Sequence, residues 1–150
     1  MKNNIEVEIC TFSLESCLNA QQAGASRVEL CSGMYDGGTT PSAAMIRMAR
    51  EKLSIQLYVM IRPRGGDFLY SDLEFEVMKE DIRFAKACRA DGVVLGILNA
   101  DGSVDVQRTR ELVELAAPLK VTFHRAIDMT RNMEEALEGI IEAGCYRVLT

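Results

Sequence analysis

The stretch Tyr58-Val59-Met60-Ile61-Arg62-Pro63-Arg64-Gly65-Gly66-Asp67-Phe68-Leu69-Tyr70-Ser71-Asp72 indicates the fold of this chain. Its first four residues are apolar, as expected of a buried strand. Two arginines, a proline and two adjacent glycines follow, and then a helix start. Charged side chains and a freely rotating backbone at the end of an apolar strand are typical of a loop that binds an anion or holds a reactive group.

The same order of strand, loop and helix recurs along the chain. Residues 23–30, 90–95 and 143–149 each contain a glycine that ends a helix, and an apolar strand follows at once. The pattern predicts strands at residues 5–10, 26–31, 55–61, 92–96, 119–123 and 146–150. It predicts helices after Ser13, after Thr40-Pro41 as N-cap and first-turn proline, after the capping box that begins at Ser71, and at residues 105–116 and 132–143.

Alternating strands and helices favour a parallel sheet wrapped by helices. A doubly wound sheet usually has a glycine-rich fingerprint after its first strand, and Thr11-Phe12-Ser13 does not match it. We therefore predict an α/β fold of the TIM-like (β/α)8 barrel type, incomplete, with about six parallel strands and five helices. Because whole barrels usually need ~200–250 residues, residues 1–150 are expected to form a single domain that is the N-terminal part of a longer barrel.

Composition narrows the class of partner. The 150 residues carry a net charge of -5, which argues against nucleic acid, because phosphate binding needs a basic surface. No apolar run approaches the ~20 residues that a membrane helix needs. Residues 1–4 lead into a charged segment rather than a secretion signal, so the cytoplasm is the expected location. The five cysteines form no CxxC pair and are expected to be free thiols.

Strand alternation identifies the side chains that face the interior of the barrel. If the aliphatic face of each strand meets the helices, the opposite face points inward. The inward-facing residues are then Glu8 and Cys10, Glu29 and Cys31, Met60 and Arg62, and Thr122 and His124. This places two carboxylates, an arginine and the single histidine in one interior.

Cys10 and Cys31 follow like positions on neighbouring strands, roughly 5 Å apart by strand spacing. Two thiolates at that separation could hold a soft ion such as Cu(I). The alternative is a pair of ordinary thiols at a polar barrel mouth.

A second set of residues suggests an enzyme. Arg62 and Arg64, helped by the free backbone of Gly65 and Gly66, could clamp a small anionic ligand. His124, with Glu8 or Glu29, could then transfer protons. The alternatives are that Arg62 neutralises Glu8 and Glu29 in a buried network, and that His124 has a structural role.

The chain resembles the CutC copper homeostasis family. The segments that carry the resemblance are Glu8-Ile9-Cys10, Ala23-Gly24-Ala25, Arg27-Val28-Glu29-Leu30-Cys31, Gly37-Gly38-Thr39-Thr40-Pro41-Ser42, residues 59–72, Gly92-Val93-Val94, Val121-Thr122-Phe123-His124-Arg125-Ala126-Ile127-Asp128 and Arg147-Val148-Leu149-Thr150. The resemblance implies a cytoplasmic TIM-like barrel, often a homo-oligomer, that binds copper. It also implies Cu(I) ligands at the cysteines after the first two strands, which match Cys10 and Cys31.

The chain departs from the family pattern in its length, because the family continues beyond the position of Thr150. In addition, the loop after the third strand is rich in arginine, glycine and aspartate, which are not copper ligands of the soft type. Three hypotheses therefore stand: a copper homeostasis protein with a Cu(I) cofactor, a barrel enzyme of unknown reaction on a small anion, and a fragment whose exposed sheet edges force assembly with another chain, so that it is active only as an oligomer.

Overall fold

The computed structural model describes residues 5–150, which form a curved sheet of six parallel strands with five helices. Strands β1 to β6 comprise Glu8–Thr11, Arg27–Leu30, Gln56–Met60, Gly92–Leu95, Lys120–Phe123 and Arg147–Val148. Helices α1 to α5 comprise Leu14–Gln22, Ala43–Lys52, Asp72–Ala87, Val106–Ala116 and Met133–Glu142. The strands follow one another in chain order, and every neighbouring pair is parallel. The predicted incomplete (β/α)8 barrel is therefore confirmed.

The strands are shorter than the sequence pattern predicted. The first begins at Glu8 rather than residue 5, and the last contains only Arg147–Val148. The sequence inference about a secretion signal concerns residues 1–4, which lie outside the described residues. None of the helices within residues 5–150 combines the length and the apolar character needed to cross a bilayer.

Two of the predicted helix starts are confirmed by side-chain capping. Ser13 and Ser71 each accept a hydrogen bond from the backbone N–H three residues later, and both form reciprocal capping boxes. The predicted N-cap Thr40 is wrong, because α2 begins at Ala43 and Ser42 caps it. Thr40 instead pairs with the end of β3: its hydroxyl accepts the N–H of Arg62 at 2.9 Å, and its own N–H donates to the Arg62 carbonyl at 2.9 Å.

The two faces of the sheet have different compositions, as strand alternation predicted. The outer face packs aliphatic side chains against the helices, and the buried members include Val28, Leu30, Leu57, Val59, Val93 and Leu95. Each such side chain contributes about 1.5–3 kcal/mol through burial. The inner face carries a separate small apolar group formed by Cys31, Tyr58, Met60 and Val94.

At the amino ends of the strands, four inner side chains form an ionic and aromatic group that we call the lower cluster: Glu8, Arg27, Tyr58 and Arg147. The Nε of Arg27 donates to the Glu8 carboxylate, and Arg147 Nη1 donates to the same oxygen at 3.3 Å. The guanidinium carbons of Arg27 and Arg147 lie 4.9 and 5.3 Å from the Tyr58 ring centre. Glu8 on β1 thereby contacts Arg147 on β6, so the sheet curves enough to bring its two edge strands within reach of each other.

Candidate metal and ligand site

Three side chains near the carboxyl ends of β1 and β2 form what we call the thiol cluster: Cys10, Glu29 and Cys31. Cys10 pairs in register with Glu29, and Cys31 follows β2 on the same face. The two sulfurs are 3.8 Å apart, and Cys31 donates to Oε1 of Glu29 at 3.6 Å. One potential ligand atom from each of the three residues lies within 4.8 Å of the others. The prediction that the two thiols are neighbours is thus confirmed, but they do not occupy like positions, because Cys31 lies two residues beyond the residue opposite Cys10.

Two members of the thiol cluster, Cys31 and Glu29, have a raised pKa. The pKa of the Cys31 thiol is raised by its hydrogen bond with Cys10, by burial and by the charge of Glu29. The pKa of Glu29 is raised mainly by burial and by the charge of Glu8, although both thiols act in the opposite direction. A bound cation would displace the thiol protons, because metal ligation by cysteine requires the thiolate.

The donor set of the thiol cluster suits a soft cation. At a metal–sulfur distance of about 2.3 Å, as in zinc sites, sulfurs 3.8 Å apart subtend an angle of about 110° at the ion. That angle leaves room for a third ligand, and a carboxylate oxygen of Glu29 lies within 4.8 Å of both sulfurs. Thiolates are ligands that soft or borderline ions prefer, among them Cu(I) and zinc.

The thiol cluster opens into a cavity of about 260 Å³ that we call the ligand cavity. Its polar and aromatic lining residues are Cys10, Glu29, Arg62, Phe68, His124 and Arg125. The Phe68 ring packs against both Arg62 and His124. Its centre is 5.0 Å from that of the His124 ring and 4.9 Å from the guanidinium carbon of Arg62. The ligand cavity therefore contains residues of both predicted sites. Cys10 belongs to the predicted Cu(I) site, and Glu29, Arg62 and His124 belong to the predicted enzyme site.

Arg62 holds the loops around the ligand cavity. Its Nη1 donates to the carbonyls of Asp36 at 2.6 Å and Gly38 at 2.9 Å, and its Nη2 donates to Gly66 at 2.9 Å. Within residues 5–150, Arg62 forms no ion pair with Glu8 or Glu29, and its Nε has no hydrogen-bond partner. The buried Arg62–Glu8–Glu29 network weighed from the sequence is not formed, because Glu8 lies in the lower cluster with Arg27 and Arg147.

The structure separates Arg64, Gly65 and Gly66 from the ligand cavity. Arg64 pairs with Glu74 and Asp67, and its guanidinium carbon lies 5.2 Å from the Tyr70 ring centre. Gly65 packs against Asp36, where a Cβ would come within 2.6 Å of Oδ1. Gly66 lines a different cavity of about 670 Å³ between the loops after β3, β4 and β5. Of the predicted anion-binding residues, the ligand cavity thus contains Arg62 alone.

His124 is buried and oriented by the backbone. Its Nδ1 accepts the N–H of Ala126 at 3.2 Å, which places the proton of the neutral ring on Nε2. Burial, and then the charge of Arg62, lower its pKa from 6.5 to about 3. His124 is therefore neutral near pH 7 and offers an N–H donor rather than a free base. Nε2 has no partner among the described residues.

Two features of this site were missed by sequence reasoning. Gly96 leaves space for the His124 ring, because a Cβ there would lie 2.5 Å from Cε1 of the ring. Phe68 contacts both Arg62 and His124, although the sequence indicated only that it lies in the candidate anion-binding loop. The role of Gly96 could have been inferred from the sequence. A glycine at the end of one strand, next to a ring at the end of the neighbouring strand, indicates that the ring needs the space that a side chain would fill.

A curved parallel sheet with helices on its outer face and functional side chains at the carboxyl ends of its strands defines a protein of the (β/α)-barrel class. The chain belongs to the CutC family, whose sequence model matches residues 5–150. It is 57% identical over 96% of its length to a protein of Chromobacterium violaceum described as a family protein CutC. It is 52% identical over 99% of its length to the mouse protein named copper homeostasis protein cutC homolog.

The chain spans 58% of the Chromobacterium protein and 54% of the mouse protein. Among solved structures, the CutC protein of Streptococcus agalactiae matches with a TM-score of 0.90 and 36% identity, covering 96% of this chain and 71% of that one. A solved aldolase, QR15, matches with a TM-score of 0.70 and 17% identity over 99% of this chain and 67% of that one, a likeness of fold alone.

Proposed function

We propose that this protein acts in copper homeostasis and binds Cu(I) through Cys10 and Cys31. The observation that supports this proposal is the pair of sulfurs 3.8 Å apart with a carboxylate oxygen 3.6 Å from one of them. The mouse relative carries the name of a copper homeostasis protein, which agrees with this chemistry. Glu29 completes the set of three possible ligand atoms.

A reducing compartment fits a site of this kind. Thiolates bind Cu(I) only while they stay reduced, and the cytoplasm keeps thiols reduced. We therefore place the protein in the cytoplasm as part of the proposal. We also propose a homo-oligomer, as the resemblance to the family implies.

The proposal is tested by titrating Cu(I) against a competing chelator under anaerobic, reducing conditions. A Cys10→Ser/Cys31→Ser variant should lose at least about 100-fold in affinity, because even outer partners of metal ligands account for 10–100-fold. The matched control is Cys88→Ser/Cys145→Ser, which removes two thiols that belong to no ligand group in the described part of the chain. The control should bind as tightly as the unaltered protein. Equal affinity in all three proteins would rule out the thiol cluster.

A second candidate function is an enzyme acting on a small anion, favoured by Arg62, Glu29 and His124 in one cavity. The proton on Nε2 of His124 makes it a hydrogen-bond donor, so Glu29 is the residue placed to exchange a proton in such a reaction. Glu8 lies in the lower cluster, away from this cavity. A Glu29→Gln variant should then keep the ligand but lose turnover, whereas unchanged turnover would exclude Glu29 from proton transfer.

A further inference from the structure

The two thiols and the carboxylate of the thiol cluster do not by themselves distinguish Cu(I) from zinc. Zinc sites combine cysteine sulfur with nitrogen or carboxylate oxygen, whereas Cu(I) prefers sulfur from cysteine or methionine. A carboxylate oxygen as the third ligand therefore favours zinc, and a thioether sulfur favours Cu(I). The identity of the third ligand thus determines which ion the site selects.

Met60 places a thioether next to the buried member of the cysteine pair. The register of the sheet pairs Leu30 of β2 with Val59 of β3. One residue further along each strand, Cys31 and Met60 are therefore neighbours on the inner face, where both belong to the same small apolar group. A Cβ at Gly38 would lie 3.3 Å from Sγ of Cys31 and 3.5 Å from Cε of Met60, so the two side chains meet over this glycine.

Met60 also borders the space in which an ion would contact Cys10. Both residues line the ligand cavity, and Met60 is 4% exposed. Neighbouring strands lie about 4.8 Å apart, and the methionine side chain has three rotatable bonds. Its sulfur therefore reaches Sγ of Cys31 by rotation about side-chain bonds, with the backbone unchanged. Because Sγ of Cys31 is 3.8 Å from Sγ of Cys10, all three sulfurs come within reach of one ion.

We propose that the thioether of Met60 is the third ligand of Cu(I), beside the thiolates of Cys10 and Cys31, and that it makes the site select Cu(I) over zinc. This inference rests on the proposed copper function and adds the residue that determines its ion specificity. The Glu29 carboxylate lies in the same site and is the ligand that zinc would use instead.

Met34 also lies near Cys10 and provides a comparison. It lines a separate cavity of about 300 Å³ with Cys10, and neither Cys31 nor Glu29 borders that cavity. Met34 is 59% exposed, so its side chain is free to move and would lose more conformational entropy on binding an ion than the buried Met60. Met60 is therefore the better placed of the two thioethers.

The test compares the affinities for Cu(I) and zinc, each titrated against a competing chelator without oxygen and with a reductant that contains no thiol. Met60→Leu conserves the volume of the side chain and removes its sulfur. It should weaken Cu(I) binding at least about ten-fold, the lower end of what partners in a metal site contribute, and leave zinc binding within about two-fold. The matched control is Met78→Leu, because Met78 is also buried but lies in the core between the sheet and the helices. Met78→Leu and Met34→Leu should bind both ions as the unaltered protein does.

A Glu29→Gln variant should show the opposite pattern. It replaces a charged carboxylate by a neutral amide, so zinc binding should weaken about ten-fold and Cu(I) binding should stay within about two-fold. Loss of Cu(I) affinity in Glu29→Gln without such a loss in Met60→Leu would overturn the proposal.

X-ray absorption at the copper edge gives a readout that needs no substitution. The Cu(I)-loaded protein should show three sulfur neighbours around the ion. Two sulfurs with one oxygen or nitrogen would overturn the assignment of Met60, even if the Met60→Leu variant did not fold.

The titrations separate failure of this proposal from failure of the copper function. Unchanged Cu(I) affinity in Met60→Leu, with a large loss in Cys10→Ser/Cys31→Ser, would exclude the thioether and leave the thiol site standing. Equal weakening of Cu(I) and zinc binding in Met60→Leu would show that the residue acts through packing and would also overturn the proposal. Absence of Cu(I) binding by the unaltered protein would overturn both proposals together.

Discussion

The polar side chains are paired with one another at one end of the barrel interior, and several of them are unpaired at the other end. In the lower cluster, Glu8 is paired with Arg27 and Arg147, and both guanidinium groups lie against Tyr58. At the other end, His124 and the residues around it retain buried polar atoms without partners in the described chain. The charged groups of the lower cluster are thus paired with one another, whereas several polar atoms at the other end are not.

This difference agrees with the usual division between stability and function in barrels. In barrels of this type the active residues lie at the carboxyl ends of the strands, and the opposite end contributes stability. Both ends contain charged side chains on the same strands, so residue type alone does not distinguish them. The two ends differ instead in whether their polar groups are paired. The following substitutions test that difference.

The largest effect is expected from removing Arg27. An Arg27→Met variant leaves Glu8 without its main partner inside the lower cluster, and breaking a buried pair typically costs about 3 kcal/mol. Arg83→Met is the matched control, because its pair with Glu80 is largely exposed and should change the free energy of unfolding by less than about 0.5 kcal/mol. Urea unfolding measures both. Equal costs would show that the lower cluster has no special role in stability.

A smaller effect is expected from Gly96→Ala at the opposite end. The new Cβ would overlap the His124 ring, and overpacking of this kind costs about 2 kcal/mol. The same substitution in a His124→Ala background should cost much less, since the ring is then absent. Additive costs in thermal unfolding would contradict the contact. Gly92→Ala is the counterpart in the lower half, where the Tyr58 ring lies 2.6 Å from the position of the new Cβ.

Acid pH should destabilise the protein through His124. Its pKa is about 3 in the folded protein and 6.5 in a model peptide, so below pH 6.5 the unfolded chain takes up a proton that the native protein does not. The free energy of unfolding should fall by about 1 kcal/mol between pH 6.5 and pH 5.5 from this residue. His124→Gln should lack this component, because the chain contains no other histidine. Parallel pH curves for the two proteins would contradict the shifted pKa.

The smallest effect, and one of opposite sign, is expected at Thr122. Its hydroxyl is buried without a partner among residues 5–150, so Thr122→Val should raise the free energy of unfolding by about 0.5 kcal/mol. Thr11→Val is the control, because the Thr11 hydroxyl bonds to Cys17 and to the Glu29 carbonyl and its loss should cost about 1 kcal/mol. Destabilisation by Thr122→Val would show that this hydroxyl is hydrogen-bonded in solution.

The sequence predicted the parts of the structure that depend on periodicity. The order of strands and helices, the parallel barrel and the inward direction of Cys10, Glu29, Cys31 and His124 all follow from alternation of side chains along strands. Spacing between strands also predicted that the two cysteines are neighbours, and their sulfurs lie 3.8 Å apart.

The parts that depend on loop conformation could not be predicted in this way. Arg62 and Arg64 are two residues apart, yet the first lines the ligand cavity and the second pairs with Glu74. That difference arises from the course of the backbone around Gly65 and Gly66, which no periodicity encodes. Likewise, the assignment of Glu8 to the lower cluster depends on Arg147, a residue of the last strand that the sequence placed in no site.

Strand β4 has a consequence for how such an interior could change over evolutionary time. Gly92 and Gly96 stand at its two ends, and each leaves the space that an aromatic or imidazole ring from a neighbouring strand occupies. A residue larger than glycine at either position would therefore require the facing ring to change as well, which couples β4 to β3 and β5. A barrel that received the segment Gly92-Val93-Val94-Leu95-Gly96 would gain space for two rings on the neighbouring strands. Reactive side chains could be introduced into that space afterwards.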